Sequence, residues 1–142
     1  MKDQNKYPVK GALETRKGVF TYQYTIYHSK RYHADFYMFD IWDERDDSPD
    51  LHKFSFCFEI MENSADLKVT DLFAGDYKGK GISIPMILKA KELFGKRIIS
   101  TSNKKPARYD EANWEDAIKK VWKPMVSQGL ASYHQEDDYY FV

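Results

Sequence analysis

The 142-residue chain has little cysteine, proline and glycine, no excess of charge and no long apolar run, and each shortage excludes a class of protein. Cys57 has no second cysteine to pair with, so an internal disulfide and a disulfide-stabilised secreted scaffold are ruled out. Five prolines and seven glycines are too few for a fibrous or low-complexity chain. No stretch approaches the ~18 apolar residues of a membrane helix, and residues 1–10 lack the apolar core of a signal peptide. We therefore expect a soluble cytoplasmic protein without a membrane partner.

The charges balance, with 22 basic and 22 acidic side chains and a formal net charge of zero. Non-specific nucleic-acid binding depends on many uncompensated Lys and Arg side chains, so nucleic acid is not expected as a partner. The chain is 42% hydrophobic and 16% aromatic, which is enough apolar material for a buried core and argues against intrinsic disorder. Its length predicts a single domain, residues 1–142, with an N-terminal segment, 1–17, before the first recognisable strand.

Residues 18–74 show a period of two, which predicts an antiparallel meander. Aromatic and β-branched residues alternate with polar ones in four runs joined by short polar connections. One connection, 28–31, is only four residues long. The predicted strands are residues 18–27, 32–42, 54–60 and 67–73.

Residues 75–142 show a period of 3.6 in two places. The first predicts a helix from Ser83, which suits an N-cap, to Gly95, with Pro85 tolerated in its first turn. A short strand, 97–102, precedes a second helix that Pro124 should bend or end, and two short strands, 130–134 and 139–142, close the chain. The predicted fold class is α+β, with helices packed on a mixed, mainly antiparallel sheet.

The connection between the fourth predicted strand and the first helix has the composition of an anion-binding corner. Its two glycines permit a tight turn with exposed N–H groups, the helix start carries partial positive charge, and two lysines add full charge. The alternative is an ordinary glycine-rich connection with solvated lysines, because short glycine motifs are common. The candidate phosphate-binding residues are Lys78, Gly79, Lys80, Gly81, Ile82 and Ser83.

With this corner and element order, the chain resembles the Gcn5-related N-acetyltransferases (GNAT), over about residues 67–142. In that family a strand runs into an Arg/Gln-x-x-Gly-x-Gly/Ala loop and a helix, and the loop amides hold the pyrophosphate of acetyl-coenzyme A. Lys78, Gly81 and Ser83 fall on the three key positions. The resemblance implies acetyl-coenzyme A or coenzyme A as cosubstrate, an amine acceptor that is a small molecule or a peptide, and direct transfer between them.

The chain departs from the family pattern in three places. The connection 28–31 is too short for the helices that line the acceptor site, so the fold lacks these early helices and the acceptor cannot be carried over. Val121 and Trp122 stand where many members carry a tyrosine that protonates the departing thiolate. The asparagine expected near the cofactor is offset by one position, to Asn113, with Trp114 in its place.

The resemblance also implies where catalytic groups would lie. A backbone N–H near Leu72 or Phe73 would hold the oxyanion of the tetrahedral intermediate. Asp71 is the candidate base because alternation places it with Leu67 and Val69, and an acid on an apolar face suits proton abstraction. Solvation at the sheet margin is the alternative for Asp71.

Other candidates are weaker. Tyr133, in the closing strand pair, is a replacement acid for the missing tyrosine. The histidine spacing fits no metal motif, so no metal is expected. The second function, from a different class, is a non-catalytic GNAT-like module for ligand binding or protein interaction. Exposed edge strands leave a monomer and a homodimer both open.

Overall fold

The computed structural model describes residues 9–31, 33–45, 54–62, 65–73, 81–101 and 118–142. Within these ranges the protein is α+β: eight strands form one open, mostly antiparallel sheet, and two helical regions pack on it. The strands are β1 (Val9–Thr15), β2 (Gly18–Ser29), β3 (Ala34–Trp42), β4 (Phe54–Ile60), β5 (Asp66–Phe73), β6 (Arg97–Ile99), β7 (Ser132–His134) and β8 (Tyr139–Phe141). The helical elements are α1 (Ser83–Phe94), a π-helical segment (Ile118–Trp122) and α2 (Lys123–Ser127).

The strand order is β1-β2-β3-β4-β5-β6-β8-β7. Strands β1 to β5 form an antiparallel meander, because each pairs with the strand that follows it in the chain. The chain then crosses over through α1, and β6 pairs with β5 in parallel. Strand β8 lies between β6 and β7, antiparallel to both. The pair formed by β5 and β6, joined through α1, is therefore the one parallel pair in the described sheet.

The meander has one strand more than the sequence pattern predicts. Strand β1 lies in the N-terminal segment 1–17 and pairs with β2 from Val9↔Tyr24 to Thr15↔Gly18. Its pattern is weak because Leu13 is its only large apolar residue besides Val9; Leu13 is 1% exposed and lies opposite Phe20. The first connection is also shifted: β2 continues to Ser29, two residues into the predicted connection, and β3 begins at Ala34 rather than at residue 32.

The core lies between one face of the sheet and the helices. Aromatic and aliphatic side chains at alternate positions of β2, β3 and β4 meet Met86, Ile87 and Ala90 of α1. Helix α1 contacts both β1 and β6, which are five places apart in the sheet. Five strand spacings would span about 24 Å in a flat sheet, whereas a helix is about 10 Å across. The sheet must therefore curve around α1.

The second helical region changes its geometry at Pro124, as the sequence leads us to expect of a proline in a helix. The π-helical segment ends at Trp122, and α2 has the proline in its first turn. A proline has no N–H to give to the preceding turn, and a wider turn before it accommodates that loss. Val121, Trp122 and Met125 remain buried in the core. In the described part of the chain, no helix combines the length and the apolar character needed to cross a membrane.

Candidate functional site

The two parallel strands separate soon after they pair. The ladder between β5 and β6 covers three rungs, from Asp66↔Arg97 to Lys68↔Ile99. Beyond Lys68, β5 continues to Phe73 beside β4, whereas the chain after β6 stays with β8, since Ser100 N–H donates to the Tyr140 carbonyl at 2.9 Å. Among the described residues, β5 and β6 thus share no further rung. The carboxyl ends of two parallel strands that separate in this way are where ligands enter sheets of this kind.

Buried polar side chains lie at the level where the strands separate. Thr70 is 1% exposed on β5, and Ser100 and Thr101 are 5% and 9% exposed after β6. The Ser100 hydroxyl accepts a hydrogen bond from Tyr140 N–H at 2.8 Å and donates to the Thr101 carbonyl at 3.1 Å. Continuing the parallel register from Lys68↔Ile99 puts Thr70 level with Thr101. Polar groups therefore occupy both sides of the separation.

A β-bulge at this level changes the expected position of Asp71. Cys57 pairs with Asp71 but Phe58 pairs with Val69, so β5 has one extra residue here, Thr70. A bulge reverses the alternation that follows it and leaves backbone groups outside the regular ladder. Position 71 is consequently opposite Cys57 and not on the face of Leu67 and Val69, which corrects the prediction made from unbroken alternation. The side chains of residues 71–73, including Leu72 and Phe73, lie outside the described set.

The glycine corner is described only at its end. Lys78, Gly79 and Lys80 lie outside the described residues, whereas Gly81, Ile82 and Ser83 lie within them. Gly81 has φ +73°, a left-handed conformation that favours glycine. The N-cap of α1 is Ile82 rather than the predicted Ser83, and no side chain caps the helix start, which also has no acidic residue in its first turn. Among the described residues, no capping side chain satisfies the first N–H groups of α1, and Pro85 has none to offer.

An arginine that the sequence analysis did not single out lies beside this corner. Arg16 is in the turn between β1 and β2, and its Nε would be 3.1 Å from a Cβ placed on Gly81. Within the ranges the structure describes, Arg16 forms no ion pair with a carboxylate. No pattern in the sequence connects residues 16 and 81; the curvature of the sheet around α1 brings them together. The corner therefore has an exposed guanidinium beside the helix start.

Tyr133 lies away from the separation of the parallel strands. It is on β7, which the order β6-β8-β7 places two strand spacings, about 10 Å, beyond β6. Its hydroxyl donates to the Asp138 carboxylate in the turn that follows β7, and this hydrogen bond is the main reason that the pKa of Tyr133 is raised. A phenol engaged in its own hairpin turn, two strands from β6, is poorly placed to act as the acid.

The other positions that the sequence singles out are the cofactor asparagine, the place of the missing acid and the potential metal ligands. Asn113 lies outside the described residues. Trp122 is 2% exposed and stacks on Tyr140 with ring centroids 6.1 Å apart, so this position serves the core. Across the described part of the chain, His, Cys, Asp and Glu side chains form no group of three that could hold a metal ion.

Comparison with protein-family models, with curated proteins and with solved structures finds no match to this chain.

Proposed function

We propose that the protein is a GNAT-like, acyl-coenzyme A dependent N-acyltransferase, which transfers an acyl group, most simply acetyl, to a small-molecule or peptide amine. The observation that carries the proposal is the β5–α1–β6 unit, in which two parallel strands separate after Lys68 and Ile99. Such a separation offers a slot for an extended ligand at the carboxyl ends of the strands. After β5 the chain forms a helix, a strand, a second helical region and two closing strands, and the resemblance to the GNAT family implies the same order.

The phosphates of the cosubstrate would lie at the start of α1. An uncapped helix start offers N–H donors and partial positive charge to an anion, and Gly81 lets the backbone approach it closely. Arg16 supplies a full charge from the β1–β2 turn. The start of α1 and the carboxyl end of β5 lie at the same end of the sheet, because α1 runs opposite to β5 in a parallel crossover.

The transfer itself needs no further cofactor. The amine nitrogen attacks the thioester carbonyl carbon and forms a C–N bond; the C–S bond then breaks, the amine gives up a proton to a base, and the coenzyme A thiolate takes up a proton. Beyond Lys68, β5 stays paired with β4 but shares no further described rung with β6, so a backbone N–H of β5 that points toward β6 is suited to hold the oxyanion, which is the role proposed for Leu72 or Phe73. Asp71 remains the proposed base because of its position beside the bulge, and no longer because of an apolar face.

The second candidate is a non-catalytic member of the same fold that binds a ligand or a protein. It is favoured by Trp122, which is buried against Tyr140 where the resemblance expects the acid, and by the position of Tyr133 on β7. Without an acid, the thiolate would have to take its proton from water.

The first test is thermal unfolding of the full chain with excess acetyl-coenzyme A and, separately, coenzyme A. A ligand that binds only the folded state raises the midpoint of unfolding. No increase with either compound removes both the cosubstrate and the proposed reaction. Binding without acyl transfer to a panel of amines favours the second candidate.

Paired variants locate the cosubstrate. Arg16→Ala should weaken coenzyme A binding about three- to tenfold, as expected for the loss of one charged contact in an exposed setting. Lys17→Ala, one residue further along the same exposed turn, is the control and should have little effect. Equal losses of coenzyme A affinity in the two variants would indicate a non-specific electrostatic attraction between the turn and the phosphates, and would contradict a site at Gly81.

A further inference from the structure

The face of the sheet opposite α1 carries a groove that the proposed cosubstrate does not use. It runs across β2, β3, β4 and β5 and has a volume of about 670 Å³. Its lining residues alternate with core residues: Met38 and Asp40, for example, flank Phe39, which is 1% exposed on the core side. The described helical residues contribute to the core on the other side. The volume lies within the range of about 300–1,000 Å³ found for small-molecule sites.

The polar side chains of the groove select for one sign of charge. Asp40 is the one carboxylate among the described lining residues, and none of them is Lys, Arg or His. The Ser55 hydroxyl lies 3.3 Å from the Asp40 carboxylate and Gln23 lies opposite it on β2, so the carboxylate is held in a hydrogen-bonding setting. Thr25 and Thr70 add hydroxyl groups along the groove. A ligand that complements this lining is a cation that donates hydrogen bonds.

Most of the remaining lining is apolar. Tyr27 is 45% exposed and Met38 is 39% exposed on this face, and Phe36 lies beside Tyr27 with ring centroids 6.5 Å apart. Exposed aromatic and thioether surface beside a carboxylate matches a ligand that joins an ammonium group to an apolar body. A simple inorganic cation would leave this surface in water.

We infer that the groove binds a small organic amine, with its ammonium group on Asp40 and its apolar part against Met38 and Tyr27. The groove ends at Thr70, the bulged residue of β5, where the acyl group would be transferred. The role of the amine as the acceptor rests on the proposed function; its binding rests on the groove alone.

The test uses three probes of one shape and different charge: phenethylamine, 2-phenylethanol and 3-phenylpropionate. Titration of the full chain, followed by backbone amide NMR shifts, should show phenethylamine binding with shifts concentrated in β2, β3 and β4. The uncharged alcohol should bind about tenfold or more weakly, the usual effect of losing a charged hydrogen bond, and the carboxylate more weakly still. Equal affinity for amine and alcohol, or no binding of the amine, overturns the proposal.

Two substitutions check the position of the ammonium group. Asp40→Asn keeps the shape of the side chain and should reduce the affinity for phenethylamine about tenfold or more. Asp35→Asn is the matched control on the same strand, because Asp35 is exposed and pairs with His28 outside the groove. An undiminished affinity in Asp40→Asn overturns the assignment.

If Asp40→Asn does not fold, Gln23→Lys supplies the same information. A lysine opposite Asp40 on β2 would offer an internal ammonium group to that carboxylate and should compete with the added amine. Unchanged affinity in this variant contradicts the proposal.

The experiment separates the two proposals. Coenzyme A stabilisation is measured on the same samples and should be unchanged in Asp40→Asn. Amine binding without coenzyme A binding leaves the groove assigned and removes the acyltransferase; coenzyme A binding without amine binding does the reverse.

Discussion

At the residue scale, glycine at position 81 is required by the backbone rather than by lack of space. Its φ of +73° lies in the region where an L side chain costs about 1–2 kcal/mol. The atoms nearest to a Cβ there belong to Arg16, whose exposed side chain can move. Gly95, the C-cap of α1, has φ +63° and nothing within 4 Å of such a Cβ. The two positions therefore share a left-handed backbone but differ in the presence of Arg16 beside one of them.

Gly81→Ala and Gly95→Ala are each expected to reduce the free energy of unfolding by about 1–2 kcal/mol, measured by urea denaturation. The cost at Gly81 should be the same in an Arg16→Ala background, because Arg16 can shift away from the methyl group. A much larger cost at Gly81 that Arg16→Ala relieves would show that the guanidinium is fixed against the corner.

At the element scale, β1 is an integral strand, although its sequence gives little sign of it. It covers the edge of β2 and buries Leu13 against the core, while Lys10 and Glu14 stay exposed. The turn that it forms with β2 also carries Arg16 to the start of α1. The first strand thus connects the core to the proposed phosphate site.

Leu13→Ala should reduce the free energy of unfolding by about 2–5 kcal/mol, the usual range when a buried leucine is truncated. Glu14→Gln, the neighbouring exposed position, is the control and should change it by less than about 0.5 kcal/mol. Equal, small effects of the two substitutions in urea denaturation would contradict a packed β1.

An ion pair between Arg97 and Asp66 also stabilises the parallel pair β5–β6 at the element scale. The Arg97 guanidinium donates two hydrogen bonds of 2.9 Å to the Asp66 carboxylate, and these raise the pKa of Arg97. Arg97 also lies over the rings of Tyr139 and Phe141, at 5.6 and 5.1 Å. One side chain thus links β5, β6 and β8 at the end where they are joined, and the strands separate only beyond it.

At the scale of the whole molecule, the central strands of the sheet are well packed, whereas the strand at the β7 edge is short and poorly packed. Strands β3 and β4 have a neighbour on both sides and contribute the fully buried Phe39, Phe56 and Phe58. Strand β7 is three residues long, has β8 alone as a neighbour among the described strands, and leaves Tyr133 44% exposed. Local opening should therefore begin at the β7 edge.

Amide hydrogen exchange should follow this gradient. Residues in β3 and β4 should exchange only through global unfolding, and residues in β7 should exchange through local opening at much lower free energy. The readout is exchange followed residue by residue by NMR at increasing low concentrations of urea. Protection in β7 equal to that in β4 would indicate a partner that covers this edge.

Local pattern was enough to predict the elements whose side chains have a strong period. The alternation of Phe54 to Ile60 correctly predicts β4, and the 3.6-residue repeat that Gly95 ends correctly predicts α1. The α+β class and the mainly antiparallel sheet follow from the order of such elements, and the structure confirms both. These features depend on steric preferences within a few residues, which the chain carries wherever it is.

The sequence by itself also determined the absence of an internal disulfide, the balance of charge and the glycine corner as a candidate. The tertiary structure alone decided the fifth strand of the meander, the bulge at Thr70 that moves position 71, and the approach of Arg16 to Gly81. The groove around Asp40 likewise needs four strands in register before its lining exists. Strand pairing and sheet curvature join residues far apart in the chain, and no local preference records which partners will meet.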